Sequence, residues 1–212
     1  MKHVELENVK PMKIEKRSFE IITEELGDKK LAPGTELIVK RCIHTSADFD
    51  YADNLYFSEG AVEKALAAIQ EGACIVTDTQ MAKAGINKKA LARYGGEAYC
   101  FMADEDVAEK ARELGVTRAS VSMEKAAGLS KKLIFAIGNA PTALVRLYEL
   151  IGEGFRPELI IGAPVGFVNV VQSKELIMST DVPCIVARGR KGGSNIAACI
   201  VNALLYRINN ER

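Results

Sequence analysis

The chain of 212 residues contains two histidines, and one of them, His44, lies in a segment rich in charged side chains. Imidazole is the side chain whose unperturbed pKa lies close to neutrality, so His44 could donate or accept a proton at little cost. Arg41 precedes it by one turn of a predicted helix, and an anion held by the guanidinium group would therefore lie close to the imidazole. Carboxylates that could orient the imidazole ring follow within a few residues: Asp48, Asp50 and Asp53.

The sequence argues against two other uses of this histidine. One histidine without a neighbouring pair of cysteines cannot build a metal site by itself. A serine hydrolase would require the G-x-S-x-G motif around its nucleophile, and the chain does not contain that motif. A hydrogen-bonded structural histidine remains the alternative to a catalytic one.

The segment RGRKGGSN, residues 188–195, joins a predicted strand to a predicted helix. Glycine allows the backbone to approach a ligand closely, and free N–H groups at the start of a helix bind carboxylates and phosphates. Because basic side chains accompany the glycines, we take Gly192, Gly193 and Ser194 as candidate anion-binding residues. The alternative is a solvated basic loop followed by an ordinary Ser194 cap. Neither of the nucleotide-binding glycine motifs follows a strand, so the sequence gives no positive indication of nucleotide binding.

Short apolar segments alternate with helical segments from residue 73 to the end of the chain. They predict strands over residues 73–78, 98–102, 133–138, 159–166 and 184–189. Continuous apolar strands separated by helices indicate a sheet that is buried on both faces and is mainly parallel. The expected fold is α/β, a Rossmann-like three-layer α/β/α sandwich in a single domain of residues 1–212. Three helices should precede the alternation: residues 11–26, a helix that begins after Thr35, and Ser58 to Glu71 with a serine cap.

Sheets of this kind bind ligands beyond the carboxyl ends of their strands, near the point where the strand order reverses. This rule places small and polar residues of three other predicted strand ends beside the Gly-rich segment. The candidate binding residues at these ends are Thr77, Asp78, Asn139, Thr142 and Gly166. A strand-to-helix turn satisfied by its own side chains would explain Asn139 and Thr142 equally well, and tight helix packing would explain Gly166.

The composition is that of an ordinary globular protein without an overall charge bias. Lys and Arg number 28, as do Asp and Glu, so neither nucleic acid nor a membrane surface is indicated as a partner. The five scattered cysteines lack metal-binding spacing and predict free thiols in a reducing cytoplasm. The sequence shows neither a signal peptide nor an apolar run long enough for a membrane helix, so we expect a cytoplasmic protein.

The segment RCIHTSADFDY, residues 41–51, resembles the active-site segment of the precorrin-8X methylmutases, which include the cobalt-precorrin-8 methylmutases of vitamin B12 biosynthesis. Further segments are similar to the same family in the same order: IEKRSFEII, ACIVTDTQM, GVTRA, AIGNAPTAL, IIGAPVGFV and RGRKGGSN. The resemblance extends over nearly the whole chain, and several of these motifs are specific to the family.

This resemblance implies an isomerase that moves a methyl group from carbon 11 to carbon 12 of precorrin-8X or cobalt-precorrin-8, giving hydrogenobyrinate or cobyrinate. It implies no cofactor, because the methyl group is already on the corrinoid substrate. It also implies a homodimer with sites near the subunit interface. His44 would be the proton donor and acceptor, Ser18 and Arg41 would bind the substrate, and Arg118 would line the pocket.

Two other classes of protein are alternatives to this isomerase: a corrinoid or tetrapyrrole carrier without catalytic activity on the same fold, and a nucleotide-dependent oxidoreductase. The substrate that the resemblance implies is a macrocycle fringed with acetate and propionate groups. Six basic side chains suit its carboxylates: Arg17, Arg41, Arg118, Arg188, Arg190 and Lys191. A carrier would keep its binding without the imidazole, whereas a methylmutase would lose its reaction.

Overall fold

The central sheet has six strands within residues 6–209, the part of the chain that the computed structural model describes. The strands are β1 (Leu55–Phe57), β2 (Cys74–Thr77), β3 (Ala98–Tyr99), β4 (Leu133–Ile137), β5 (Leu159–Gly162) and β6 (Cys184–Ala187). Their spatial order is β1-β6-β5-β4-β2-β3, and every neighbouring pair is parallel except β1 with β6. The predicted, mainly parallel sheet is confirmed.

Helices cover both faces of this sheet. They are α1 (Ile14–Leu26), α2 (Glu36–Ser46), α3 (Tyr51–Asn54), α4 (Ala61–Gln70), α5 (Gln80–Gly85), α6 (Lys88–Ala92), α7 (Glu105–Leu114), α8 (Arg118–Ala127), α9 (Pro141–Gly152), α10 (Val170–Met178) and α11 (Ser194–Ile208). Alternate strand residues face opposite layers: in β4, Ala136 joins the core beneath α1, α2, α4 and α11, while Phe135 joins the core beneath α8, α9 and α10. The three-layer α/β/α sandwich is confirmed. Within residues 6–209, no helix has the length and apolar character to cross a membrane.

The order of the strands reverses between β2 and β4. The chain places β3 on one side of β2 and then adds β4, β5 and β6 in turn on the other side. The helices that follow the two strands lie in opposite layers, since α5 packs on α11 whereas α9 packs on α8 and α10. A sheet of this type has its ligand crevice at such a reversal, outside the carboxyl ends of the strands. The loops after β2 and β4 therefore meet where the sequence predicts a binding site.

Several local predictions differ from the structure. The pattern does not predict β1 or the short helix α3 before it, because the three residues of β1 become a strand only through antiparallel pairing with β6. The serine cap predicted at Ser58 is wrong: its Oγ accepts the N–H of Cys184 at 2.9 Å, and α4 begins after Gly60 instead. Strands β3 and β5 end earlier than expected, at Tyr99 and Gly162.

The predicted free thiols are confirmed, and two of them help to join α2 to α11. All five cysteines are free, and only Cys199 on α11 is not fully buried. The hydroxyl group of Thr45 donates to Sγ of Cys199 at 3.2 Å. The pKa of Cys42 is raised, first by its hydrogen bond with Cys199 and then by burial. These contacts hold the last turn of α2, which carries His44, against the long helix that begins at the Gly-rich segment.

Candidate active site

His44 lies in the last turn of α2 and is exposed to solvent. The centroid of its ring lies 5.5 Å from the centroid of the Phe19 ring on α1, and the guanidinium carbon of Arg41 lies 5.4 Å from the same Phe19 centroid. Arg41 and His44 therefore flank one aromatic ring, which confirms that they share a face of the helix. An exposed imidazole in this position is accessible to a ligand and can exchange a proton with it.

Arg41 is buried, with 8% of its surface exposed. Its Nη2 donates to Oε1 of Glu15 at 3.1 Å, and its guanidinium carbon lies 4.6 Å from the centroid of the Tyr206 ring. Its Nε is buried without an acceptor among the described residues. A buried donor without an acceptor costs free energy. Arg41 lies on the wall of a groove of about 370 Å³ that is also lined by Met12, Glu15, Lys16, Phe19 and Leu37.

The carboxylates that follow α2 are paired with lysines. Nζ of Lys191 lies 2.7 Å from Oδ2 of Asp48 and also binds Asp50, and these hydrogen bonds raise the pKa of Lys191 to about 12. Asp53 pairs with Lys29. The prediction that the three acids would orient the imidazole is therefore wrong; two of them instead tie the end of α2 to the Gly-rich segment. Across residues 6–209, no three His, Cys, Asp or Glu side chains are grouped as they would be around a metal ion.

Ser18 lies on α1, immediately before the aromatic ring that contacts Arg41 and His44, and is half-buried. Its hydroxyl group donates to the carbonyl oxygen of Ile14 at 3.0 Å, so its proton is used within the helix. A hydroxyl oxygen bonded in this way can still accept a hydrogen bond from a ligand. The structure thus places Ser18 on the helix that forms one side of the groove.

The loops that follow β2, β5 and β6 meet at the carboxyl edge of the sheet. The N–H of Gly193 donates to the carbonyl oxygen of Ala163 at 2.8 Å, and the hydroxyl oxygens of Ser194 and Thr79 lie 2.7 Å apart. Ser194 is therefore not the cap of α11, because Gly193 occupies that position. A Cβ atom on Gly192 would lie 2.1 Å from the carbonyl oxygen of Ala163, so only glycine fits there. The three candidates of the Gly-rich segment are thus packed closely against the neighbouring loops.

Asp78 and Thr77 are buried, and their polar atoms bind the protein itself. The carboxylate of Asp78 accepts the N–H groups of three consecutive residues at 2.6 to 2.8 Å: Gly138, Asn139 and Ala140. Burial raises the pKa of Asp78, and the three hydrogen bonds oppose that shift. The hydroxyl group of Thr77 is within hydrogen-bond reach of the carbonyl oxygens of Thr79 and Tyr99. Both side chains therefore shape the loops of the crevice, which argues against direct contact with a ligand.

Asn139, Thr142 and Arg118 are exposed at the same edge of the sheet. The hydroxyl oxygen of Thr142 lies 2.8 Å from that of Thr117, which caps α8 directly before Arg118. The first turns of α8 and α9 therefore lie side by side. Arg118 belongs to the helical layer opposite to the one that carries His44, so within one chain these two candidates lie on different sides of the crevice.

Residues 13–207 match the model of the family described as precorrin-8X methylmutase. The chain belongs to this family. It is 45% identical to the cobalt-precorrin-8 methylmutase of Priestia megaterium, over 92% of this chain and 88% of the other. It is 38% identical to the precorrin-8X methylmutase of Pseudomonas aeruginosa, over 90% of this chain and 93% of the other. The crystal structure of precorrin-8X methyl mutase from Thermus thermophilus is similar with a TM-score of 0.86 and 40% identity, over 93% of this chain and 98% of that one.

The sequence patterns of this methylmutase do not single out Lys174, which is buried in α10. Its Nζ donates to the carbonyl oxygens of Gly189 and Lys191, each at 2.8 Å. The carbonyl oxygen of Arg190, between them, accepts the N–H of Gly166 at 3.2 Å. The one local indication is a lysine within the apolar helix VVQSKELIM, since lysine is seldom fully buried. The backbone of the Gly-rich segment is therefore held by hydrogen bonds from Lys174, a buried residue that no motif predicts.

Proposed function

We propose that this methylmutase moves a methyl group between adjacent ring carbons of a corrinoid substrate, with His44 as the proton donor and acceptor. The observation that carries the proposal is that the exposed imidazole of His44 and the buried guanidinium group of Arg41 contact the same aromatic ring, that of Phe19. Residues 13–207 of the chain match the family. Migration of a methyl group within a conjugated macrocycle needs little covalent help from the protein. A fixed conformation of the substrate ring and one proton-transfer group are sufficient for it.

Such a substrate would bind through its carboxylates to polar and basic groups at two places in the protein. In the groove between α1 and α2, the buried guanidinium group of Arg41 would receive one carboxylate of the macrocycle. At the carboxyl edge of the sheet, the Gly-rich segment and the exposed Arg118 would receive others. The ion pairs of Lys191 with Asp48 and Asp50 connect the two places, since they hold the end of α2 to the Gly-rich segment. A large ring with acidic arms would therefore lie across this junction.

We propose cobalt-precorrin-8 as the substrate, because a relative named cobalt-precorrin-8 methylmutase is 45% identical to this chain, whereas the precorrin-8X methylmutases of Pseudomonas aeruginosa and Thermus thermophilus are 38% and 40% identical. Incubation of the purified protein with cobalt-precorrin-8 and, separately, with precorrin-8X tests the choice through the visible absorbance of the product. Faster conversion of the cobalt compound supports it, and conversion of precorrin-8X alone contradicts it. Binding of both compounds without conversion of either would instead indicate a corrinoid carrier.

Replacing Arg41 by alanine should weaken the binding of cobyrinate by about tenfold or more, because a hydrogen bond between charged groups contributes about 1.5–3 kcal/mol. The turnover number should change much less, since the imidazole is retained. Titration followed by visible absorbance gives the dissociation constant, and Arg112→Ala, at an exposed arginine of α7, is the control. An unchanged dissociation constant would remove Arg41 from the binding site.

We further propose that the protein is a cytoplasmic homodimer, as its resemblance to the family implies. In the loop after β5, Val165, Phe167 and Val168 are 48%, 80% and 79% exposed, and a second subunit would cover these apolar side chains. Light scattering in solution should give about twice the 23.0 kDa of one chain. A mass of one chain over the working concentration range would contradict the dimer.

A further inference from the structure

Lys174 carries a charge in a position where a charge is costly. Only 1% of its surface is exposed. Burial lowers the pKa of Lys174 to about 8, and no carboxylate among the described residues compensates for that burial. A methionine of similar length would fill the same space without this cost. The ammonium group is therefore not explained by packing, and its two hydrogen bonds to the Gly-rich segment are the feature to examine.

These two hydrogen bonds decide which way the Gly-rich segment faces. The carbonyl groups of Gly189 and Lys191 point to the buried ammonium group, and that of Arg190 points to the N–H of Gly166. In a trans peptide the carbonyl group and the following N–H point in opposite directions, and the described residues include no cis peptide bond. The N–H groups of Arg190 and Gly192 therefore point away from the ammonium group of Lys174, and that of Lys191 points away from the N–H of Gly166. None of the three has an acceptor among residues 6–209.

We propose that Lys174 is a positioning residue for substrate binding, which directs the N–H groups of Arg190 and Gly192 toward a carboxylate of the corrinoid. The inference rests on the proposed function, since the carboxylate belongs to an acetate or propionate arm of that substrate. Backbone N–H groups of a loop that have no acceptor within the protein can form an anion-binding site. The positive charge beneath the segment adds to the attraction, because little water screens it in the interior.

If Lys174 had only a structural role, its replacement should affect substrate binding no differently from replacement of its buried neighbour in α10. Ser173 is also buried, and its hydroxyl group donates to the carbonyl oxygen of Val170 at 3.0 Å, within the same helix. Lys174→Met keeps most of the length and apolar volume of the side chain but removes the charge and both hydrogen bonds to the Gly-rich segment. Ser173→Ala removes a buried hydrogen bond that does not reach the segment. The two variants therefore separate positioning from packing.

The dissociation constant of cobyrinate, measured by visible absorbance, is the first readout. Lys174→Met should raise it by about tenfold, the effect of losing one charge-assisted hydrogen bond. At saturating substrate the turnover number should fall by less than about threefold, because the chemistry at His44 is unchanged. Ser173→Ala should stay within about twofold of the wild type in both quantities. An unchanged affinity in Lys174→Met, or equal losses in the two variants, would overturn the proposal.

Nuclear magnetic resonance of the backbone amides gives a second readout that does not depend on turnover. In the ligand-free protein, the amide proton of Gly166 should exchange faster in Lys174→Met, because its acceptor on Arg190 is no longer held between two anchored carbonyl groups. Addition of cobyrinate to the wild type should shift the amide resonances of Arg190 and Gly192. Binding without that shift, or an unchanged exchange rate at Gly166, contradicts the role of Lys174.

The two readouts also separate this inference from the proposed function. If the wild-type protein neither binds cobyrinate nor converts either substrate, the proposed function fails. The exchange rate at Gly166 would still show whether Lys174 holds the Gly-rich segment. If the wild type converts its substrate and Lys174→Met is indistinguishable from it, the function stands and the positioning role is lost.

Discussion

Replacing His44 by alanine is expected to lower the turnover number of the methylmutase by about two to four powers of ten, the usual contribution of one proton-transfer group. The binding of cobyrinate should change little, because the carboxylates of the ring are received elsewhere. His44 is exposed, and its contact with Phe19 is its one described interaction, so its loss should change the free energy of unfolding by only about 0.5 kcal/mol. The effect would therefore fall on the reaction rather than on the fold.

Single-turnover conversion, followed by visible absorbance with enzyme in excess, separates the reaction from binding and product release. The matched control is Glu36→Ala, an exposed residue at the start of the same helix, which should retain wild-type turnover. A wild-type rate in His44→Ala would show that another group transfers the proton. A parallel loss of binding and turnover would make His44 a binding residue instead.

The variant Asp78→Ala should destabilise the fold strongly. Its carboxylate accepts three N–H groups of the loop after β4, and all three would lose their acceptor, the one of Gly138 in a buried site and the other two in a partly buried one. Each hydrogen bond to a charged group contributes about 1.5–3 kcal/mol, and the desolvation that raises the pKa of Asp78 offsets part of their sum. We expect the free energy of unfolding to fall by about 3–5 kcal/mol.

Equilibrium unfolding in urea, followed by circular dichroism, measures this loss. Asp181→Ala, at an exposed aspartate before β6, is the control and should change the free energy of unfolding by about 0.5 kcal/mol or less. Asp78→Asn should lie between the two, because an amide keeps one acceptor oxygen but turns its own N–H₂ group toward backbone donors. A loss below about 1 kcal/mol in Asp78→Ala would mean that water replaces the carboxylate.

The sequence by itself determined the layers of this protein and the helix that carries the imidazole. Strands such as β4 and β5 are apolar at every position, and only a place between two helical layers buries both of their faces. Arg41 and His44 share a face because helical geometry is local, and three residues of separation suffice to predict it. The motifs that resemble the family are also contiguous stretches, so the sequence alone was sufficient to recognise them.

The tertiary structure alone decided which polar groups face one another. Lys191 and Asp50 are 141 positions apart, and Asp78 and Gly138 are 60 apart, so no local pattern relates them. Asp50, which from the sequence could have oriented the imidazole ring, instead binds Lys191 of the Gly-rich segment, and the carboxylate of Asp78 binds backbone N–H groups of the protein itself. The periodicity of apolar residues in the sequence indicates which faces of the helices and strands are apolar. A buried polar group, by contrast, takes its partner from whichever segment folding brings within hydrogen-bond reach.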